Sequence, residues 1–135
     1  MPMKYSHDEH KTAWKGKTHK QAKSWGEEIW IGSLHQIHAK VLFLHAGKST
    51  SLKYYPNKNE VLFVRNGSAE IAYASEEYHL CPEKGLKMTA LNSGDVFFVQ
   101  SGCPYRITAL TNCEIFEIGD NRQSLTIKLD DEESE

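Results

Sequence analysis

The chain is poor in what would hold a small protein together covalently or through a metal. Its 135 residues include three cysteines, Cys81, Cys103 and Cys113. That number is odd and no CxxC spacing occurs, so neither a disulfide framework nor a zinc knuckle is indicated, and a reducing cytoplasm is the expected compartment. Long hydrophobic runs are missing too. Stretches such as VLFL and VFFV are only strand-length, and the opening MPMKYSHDEHKTAWKGK lacks an apolar core, so neither a membrane span nor a signal peptide is expected. Charge of one sign is not in excess: the formal net charge is -2, and no basic stretch is interleaved with aromatics, which argues against nucleic acid as a partner. No phosphate-cradling glycine loop occurs. No window of a dozen residues carries the apolar spacing of a long helix; at most KTHKQAKSW, 17–25, supplies a short one.

What is present is a succession of short runs rich in β-branched and aromatic residues, each ending in Gly, Asn, Ser, Pro or Asp. EEIWIG, AKVLFLHAG, TSLKYY, NEVLFVRNG, SAEIAYAS, LKMTALNSG, DVFFVQSG, YRITAL, CEIFEIGD and SLTIKL all follow this pattern. An all-β sandwich or barrel follows. Asn66-Gly67, between VLFVR and SAEIAY, predicts a tight type I′ hairpin. At this length a single domain buries roughly two thirds of its unfolded surface, enough to fold without metal or disulfide. Residues 1–22, basic and without a buried pattern, read as an N-terminal arm; 23–128 as the barrel; 129–135, ending DDEESE, as an acidic tail.

Two glycine frames carry a family resemblance. In GKSTSLKYYPNKNEVLFVRNG the order is Gly47, five residues, Lys53, Tyr54, Tyr55, four residues, Glu60, six residues, Gly67. That spacing resembles the first cupin motif, G-x5-H-x-H-x4-E-x6-G, with Lys53 and Tyr55 where the histidines stand. Gly94, Gln100, Gly102, Tyr105 and Ala109 line up with the second motif, G-x5-P-x-G-x2-H-x3-N; the glycines hold and the other residues do not. The resemblance covers 25 to about 128 and implies a double-stranded β-helix, or jelly-roll, cupin barrel. Within the cupins, KSWGEEIWIG with AKVLFLHAGKSTSLKYY looks like small proteins related to the C-terminal domain of bifunctional mannose-1-phosphate guanylyltransferase/mannose-6-phosphate isomerase.

In a cupin the motif positions hold a divalent transition metal between three imidazoles and one carboxylate. Strand alternation sends 53 and 55 to one face, with 60 and 105 arriving from neighbouring strands. Lysine brings a competing positive charge, and neutral tyrosine is a weak ligand, so the expectation is no metal and no cofactor. An unpaired Glu60 is costly in the interior, which predicts an ion pair with Lys53 bordered by Tyr55 and Tyr105. Ser51 is also expected to face inward. The ligand-binding candidates are therefore Ser51, Lys53, Tyr55, Glu60 and Tyr105, and a sugar or sugar phosphate is the implied ligand. Three further readings stay open: a plugged, non-catalytic dimerisation module; proton transfer by Lys53 and Tyr105 in the manner of cupin epimerases, whose histidine base is absent; and a metal-dependent mannose-6-phosphate isomerase-like enzyme.

Other residues are weaker candidates. His35 and His38 are expected exposed in a turn, Arg65 and Arg106 outward by alternation, and Cys103 an ordinary small residue. Leu52, Tyr54 and Phe63 are expected on an apolar outer face that suits a homodimer.

Overall fold

The computed structural model describes residues 10–121 and 123–130, and among them eleven strands form two antiparallel sheets. One sheet places β1 (His19–Lys23), β2 (Gly26–Leu34), β3 (Ile37–Leu44), β10 (Cys113–Gly119), β5 (Glu60–Asn66) and β8 (Val96–Val99) side by side in that order. The other orders β11 (Ile127–Lys128), β4 (Lys53–Tyr54), β9 (Tyr105–Ala109), β6 (Ser68–Tyr73) and β7 (Lys87–Asn92). Alternating residues of β5, β9 and β10 are buried, as a strand with one face on the core requires. Leu44, Leu62, Val64 and Ile115 of the first sheet thereby meet Ala69, Ile71, Ile107 and Ala109 of the second in one core. This is the jelly roll expected from the sequence.

Local readings fared unevenly. KTHKQAKSW holds no helix: His19–Lys23 is β1, paired from His19↔Trp30 to Lys23↔Gly26, so the sheet begins inside the segment read as an arm. Residues 1–9 of that arm and 131–135 of the acidic tail lie outside the described residues. Asn66-Gly67 makes no hairpin. β5 pairs with β10 and β8, while β6 pairs with β7 and β9, so the chain passes at Gly67 from one sheet to the other. Gly67 takes φ 86°, and a Cβ there would stand 2.3 Å from the Asn112 carbonyl oxygen, so this crossing needs glycine on both counts. The local signal marked a bend in the backbone, but the hairpin expected there is not formed.

His38 also departs from expectation. The β2–β3 hairpin turns on His35, at φ 56°, and Gln36, so β3 already includes His38, which is 2% exposed and stacked on Trp30 at 5.7 Å. Leu52 is buried, not part of an open outer face, because Leu129 and Asp130 lie against its backbone: Leu129 N donates to Leu52 O, and Leu52 N to Asp130 Oδ2. Arg65 is exposed, and Arg106 turns away from the core to pair with Asp130 at 3.0 Å.

Candidate functional site

The first motif delivers its side chains inward as alternation demands. Ser51, Lys53, Tyr55 and Glu60 are all buried, and β4 pairs with β9 so that Lys53 lies opposite Tyr105. Tyr105 donates its hydroxyl to Glu60 Oε1 at 2.5 Å. Burial first, then the charge of Glu60, pushes the Tyr105 phenol well above its usual range, so this group stays a hydrogen-bond donor.

The cation beside Glu60 is not the expected one. Lys58, from the loop preceding β5, folds back into the barrel and places its Nζ 2.8 Å from Glu60 Oε2 and 3.3 Å from Glu117 Oε2. It approaches Glu60 closely but at an angle unsuited to a hydrogen bond, whereas its contact with Glu117 is a hydrogen bond as well. The ammonium also sits 4.0 Å from the Tyr55 ring centroid, a cation–π contact. Lys53 Nζ lies over the Tyr105 ring instead, 4.6 Å from its centroid. The predicted Lys53–Glu60 pair is thus replaced by Lys58–Glu60, because the short loop at 56–59 returns a lysine stem to the position where the motif side chains converge.

The pair belongs to a longer alternation of charge. Lys58 and Lys40 both approach Glu117 Oε2, Lys40 at 3.9 Å; Lys40 reaches Glu28 at 3.3 Å, and Glu28 meets Lys23 at 3.7 Å. Two carboxyl groups in this dry setting cannot both ionise cheaply. Burial, and then the adjacent charge of Glu117, pushes Glu60 up to about 8, against the opposing pull of Lys58. For Glu117 burial also acts upward, but the hydrogen bond from Glu60 and the charges of Lys40, Lys58 and Lys53 outweigh it and bring the group down to about 2. Around neutral pH the pair therefore favours keeping a proton on Glu60 over keeping one on Glu117. Four lysines, Lys23, Lys40, Lys53 and Lys58, thus gather with three carboxyl groups, Glu28, Glu60 and Glu117, around this interior.

Two adjoining hollows open onto this network. The inner one, about 170 Å³, is lined by Lys23, Lys40, Lys53, Tyr55, Tyr105 and Glu117, with Thr50 and Thr126. The outer one, about 320 Å³, shares Glu28, Lys40, Tyr55 and Thr126 with it and adds His38 and Lys58. Of the expected binding residues, Lys53, Tyr55 and Tyr105 line the inner hollow. Ser51 is fully buried and lines neither, and Glu60 acts behind Tyr105 and Lys58. Among the described residues no group of three or more His, Cys, Asp or Glu is arranged to hold a metal ion.

Lys58, Lys40, Glu28 and Glu117 were missed from the sequence. One signal was available: alternation along CEIFEIG puts Glu117 on the face of Cys113 and Ile115, and Lys40 shares its face with Leu42 and Leu44, directly opposite Glu117 in the ladder. A charge in an otherwise apolar inward set marks such a network. Lys58 lies in no strand, and no periodicity points to it.

The two antiparallel sheets packed on one core form a jelly-roll barrel. Solved structures agree. Oxalate decarboxylase from Bacillus subtilis is 18% identical, with 91% of this chain and 34% of that one covered, at TM-score 0.71. The Lactobacillus farciminis oxalate decarboxylase formate complex gives 19%, 89%, 38% and 0.71. KdgF from Halomonas sp. gives 12%, 71%, 78% and 0.60. The chain spans about a third of the oxalate decarboxylases it matches, and at these identities the likeness concerns fold. No protein-family model and no curated protein sequence matches the chain. No helix among the described residues is long and apolar enough to cross a membrane.

Proposed function

We propose that this chain is a metal-free cupin that receives a small, hydroxyl-rich anion, of the sugar or sugar-phosphate class, in the mouth of its barrel. The observation that carries the reading is the inner hollow, where Lys23, Lys40 and Lys53 supply positive charge beside Thr50, Tyr55, Tyr105 and Thr126. Its volume suits one phosphate or carboxylate group, and the outer hollow gives room for a sugar ring. The oxalate decarboxylases among the structural relatives act, by their name, on a small anion as well. The donor set does not fit a transition metal: one carboxyl, already paired with an ammonium, stands among a lysine and two phenols. No step of chemistry is assigned, because Glu60, the carboxyl whose proton affinity is raised, has a fully enclosed side chain.

Thermal-shift measurements test this directly. With EDTA present, hexose phosphates are expected to raise the melting temperature where neutral hexoses do so less, and Lys53→Met is expected to reduce the shift. Stabilisation by divalent metal ions alone, abolished in Glu60→Gln, would overturn the reading in favour of a metalloenzyme.

A second reading, an assembly module, is favoured by the outer face of the six-stranded sheet. Ile31, Ile37, Val96, Phe98 and Ile118 are each more than two-fifths exposed there, an unusual density of apolar side chains in water. A homodimer through this face is expected by light scattering after size exclusion, and Phe98→Glu with Ile118→Glu is expected to give monomer. A wild-type protein that elutes as monomer at every concentration sinks the dimer.

A further inference from the structure

A hollow larger than either the inner or the outer one lies outside the barrel's polar interior. The segment between the two motifs forms two 3-10 turns, Glu76–His79 and Pro82–Lys84, and neither buries a side chain. It is nonetheless fixed to the barrel. Ala74 N donates to Pro104 O at 3.2 Å, a His79 ring nitrogen lies 2.7 Å from Gly102 O, and the Tyr54 ring covers His79 at 4.3 Å. Between this strap and the edge of the barrel is a space of about 670 Å³.

Its walls are mainly apolar. Tyr73 and Phe97 meet edge to face at 5.1 Å and rest on the core, Tyr78 comes from the strap, and Phe98, 72% exposed, forms part of the lip. Water ordered in such a space needs two to four polar partners, which aromatic faces do not offer. The volume falls within the usual range for small-molecule sites, and stacked aromatic walls are the common lining of such sites. Charge is uneven as well: Lys84 and Lys87 stand in the lining against Glu77. No lining residue is shared with the two polar hollows of the barrel.

We propose that this hollow is a second ligand site, for an amphipathic organic anion of the aryl or medium-chain alkyl carboxylate class. The apolar body lies between the strap and the Tyr73–Phe97 pair, and the carboxylate meets Lys84 and Lys87 at the rim. Two cysteines, Cys81 and Cys103, line the same space, whereas Cys113 is buried elsewhere in the core, so thiol accessibility reports occupancy. Burial raises the Cys103 thiol, so labelling is best run at mildly alkaline pH.

The test titrates the full chain calorimetrically with 2-naphthoate, decanoate and the neutral 2-naphthalenemethanol, and follows maleimide labelling of each cysteine by mass spectrometry. Both anions are expected to bind, the alcohol about tenfold more weakly, and Lys84→Glu with Lys87→Glu to lose about tenfold in affinity. Both exposed positions take those charge reversals without touching the core. Bound anion is expected to slow labelling of Cys81 and Cys103. No binding, undiminished binding to the charge-reversed variant, or binding without thiol protection would each overturn the proposal.

Discussion

Lys58→Met is expected to destabilise the protein by about 3–5 kcal/mol at neutral pH. The reason is what it leaves behind. Glu60 and Glu117 are both almost fully buried, and Lys58 is the cation within 3.3 Å of each. Removing one partner of a buried ion pair strands the other in a medium that cannot solvate it, whereas replacing all partners with neutral groups is far less costly. The triple variant Lys58→Met, Glu60→Gln, Glu117→Gln is therefore expected to recover part of the loss. Lys53→Met provides the contrast: Lys53 contacts the Tyr105 ring, and its effect should be smaller. Denaturant midpoints with unchanged slopes are the measurement. A Lys58→Met midpoint equal to wild type, or a costlier Lys53→Met, would restore Lys53 as the cation of the site.

The second large effect is a dependence on pH of unusual sign. A carboxyl raised in the folded state is protonated there while its unfolded counterpart is ionised, so folding binds a proton. For Glu60 this holds from the ordinary carboxylate range up to about 8. Across that window stability falls as pH rises, by at most about 1.4 kcal/mol per unit for one proton. Glu117 has the opposite sign. Its depressed value makes the folded state the weaker proton binder between about 2 and the ordinary range, so stability rises with pH there and is lost on acidification. The pair alone thus sets a stability maximum near the lower end of the Glu60 window.

Glu60→Gln isolates the effect, since glutamine copies the shape of the protonated acid and cannot ionise. Its cost is expected to be small at pH 8 and larger at pH 5, and its stability profile between those values flatter than wild type. The contribution of every other titrating group is common to both proteins and cancels in the difference. Parallel profiles would mean that Glu60 is ionised in the folded protein, and the count of charge in the barrel would then have to be redrawn.

Much of the fold was legible because its governing pattern is local. Period-two alternation placed Ser51, Lys53, Tyr55, Glu60 and Tyr105 in the interior, and all five are there. The two glycine frames likewise placed the strands that carry them. Asn66-Gly67 marks where legibility ends: the residues announce a reversal, but whether the flanking strands pair with each other or with β10 and β9 is decided by which sheet each can join. His38 was misplaced for a related reason, since one residue of turn length moves it between solvent and core.

The site shows the same division more sharply. By itself the sequence determined that a barrel with this frame brings Lys53, Tyr55 and Tyr105 inward and must satisfy a buried carboxyl at Glu60. Only the tertiary structure decided how: through Lys58, whose flexible four-carbon stem reaches Glu60 from a loop, and through Glu117, which arrives from a strand nearly sixty residues further along the chain. Backbone periodicity is a property of neighbours along the chain, whereas charge pairing in a low-dielectric interior depends on which stems meet in space.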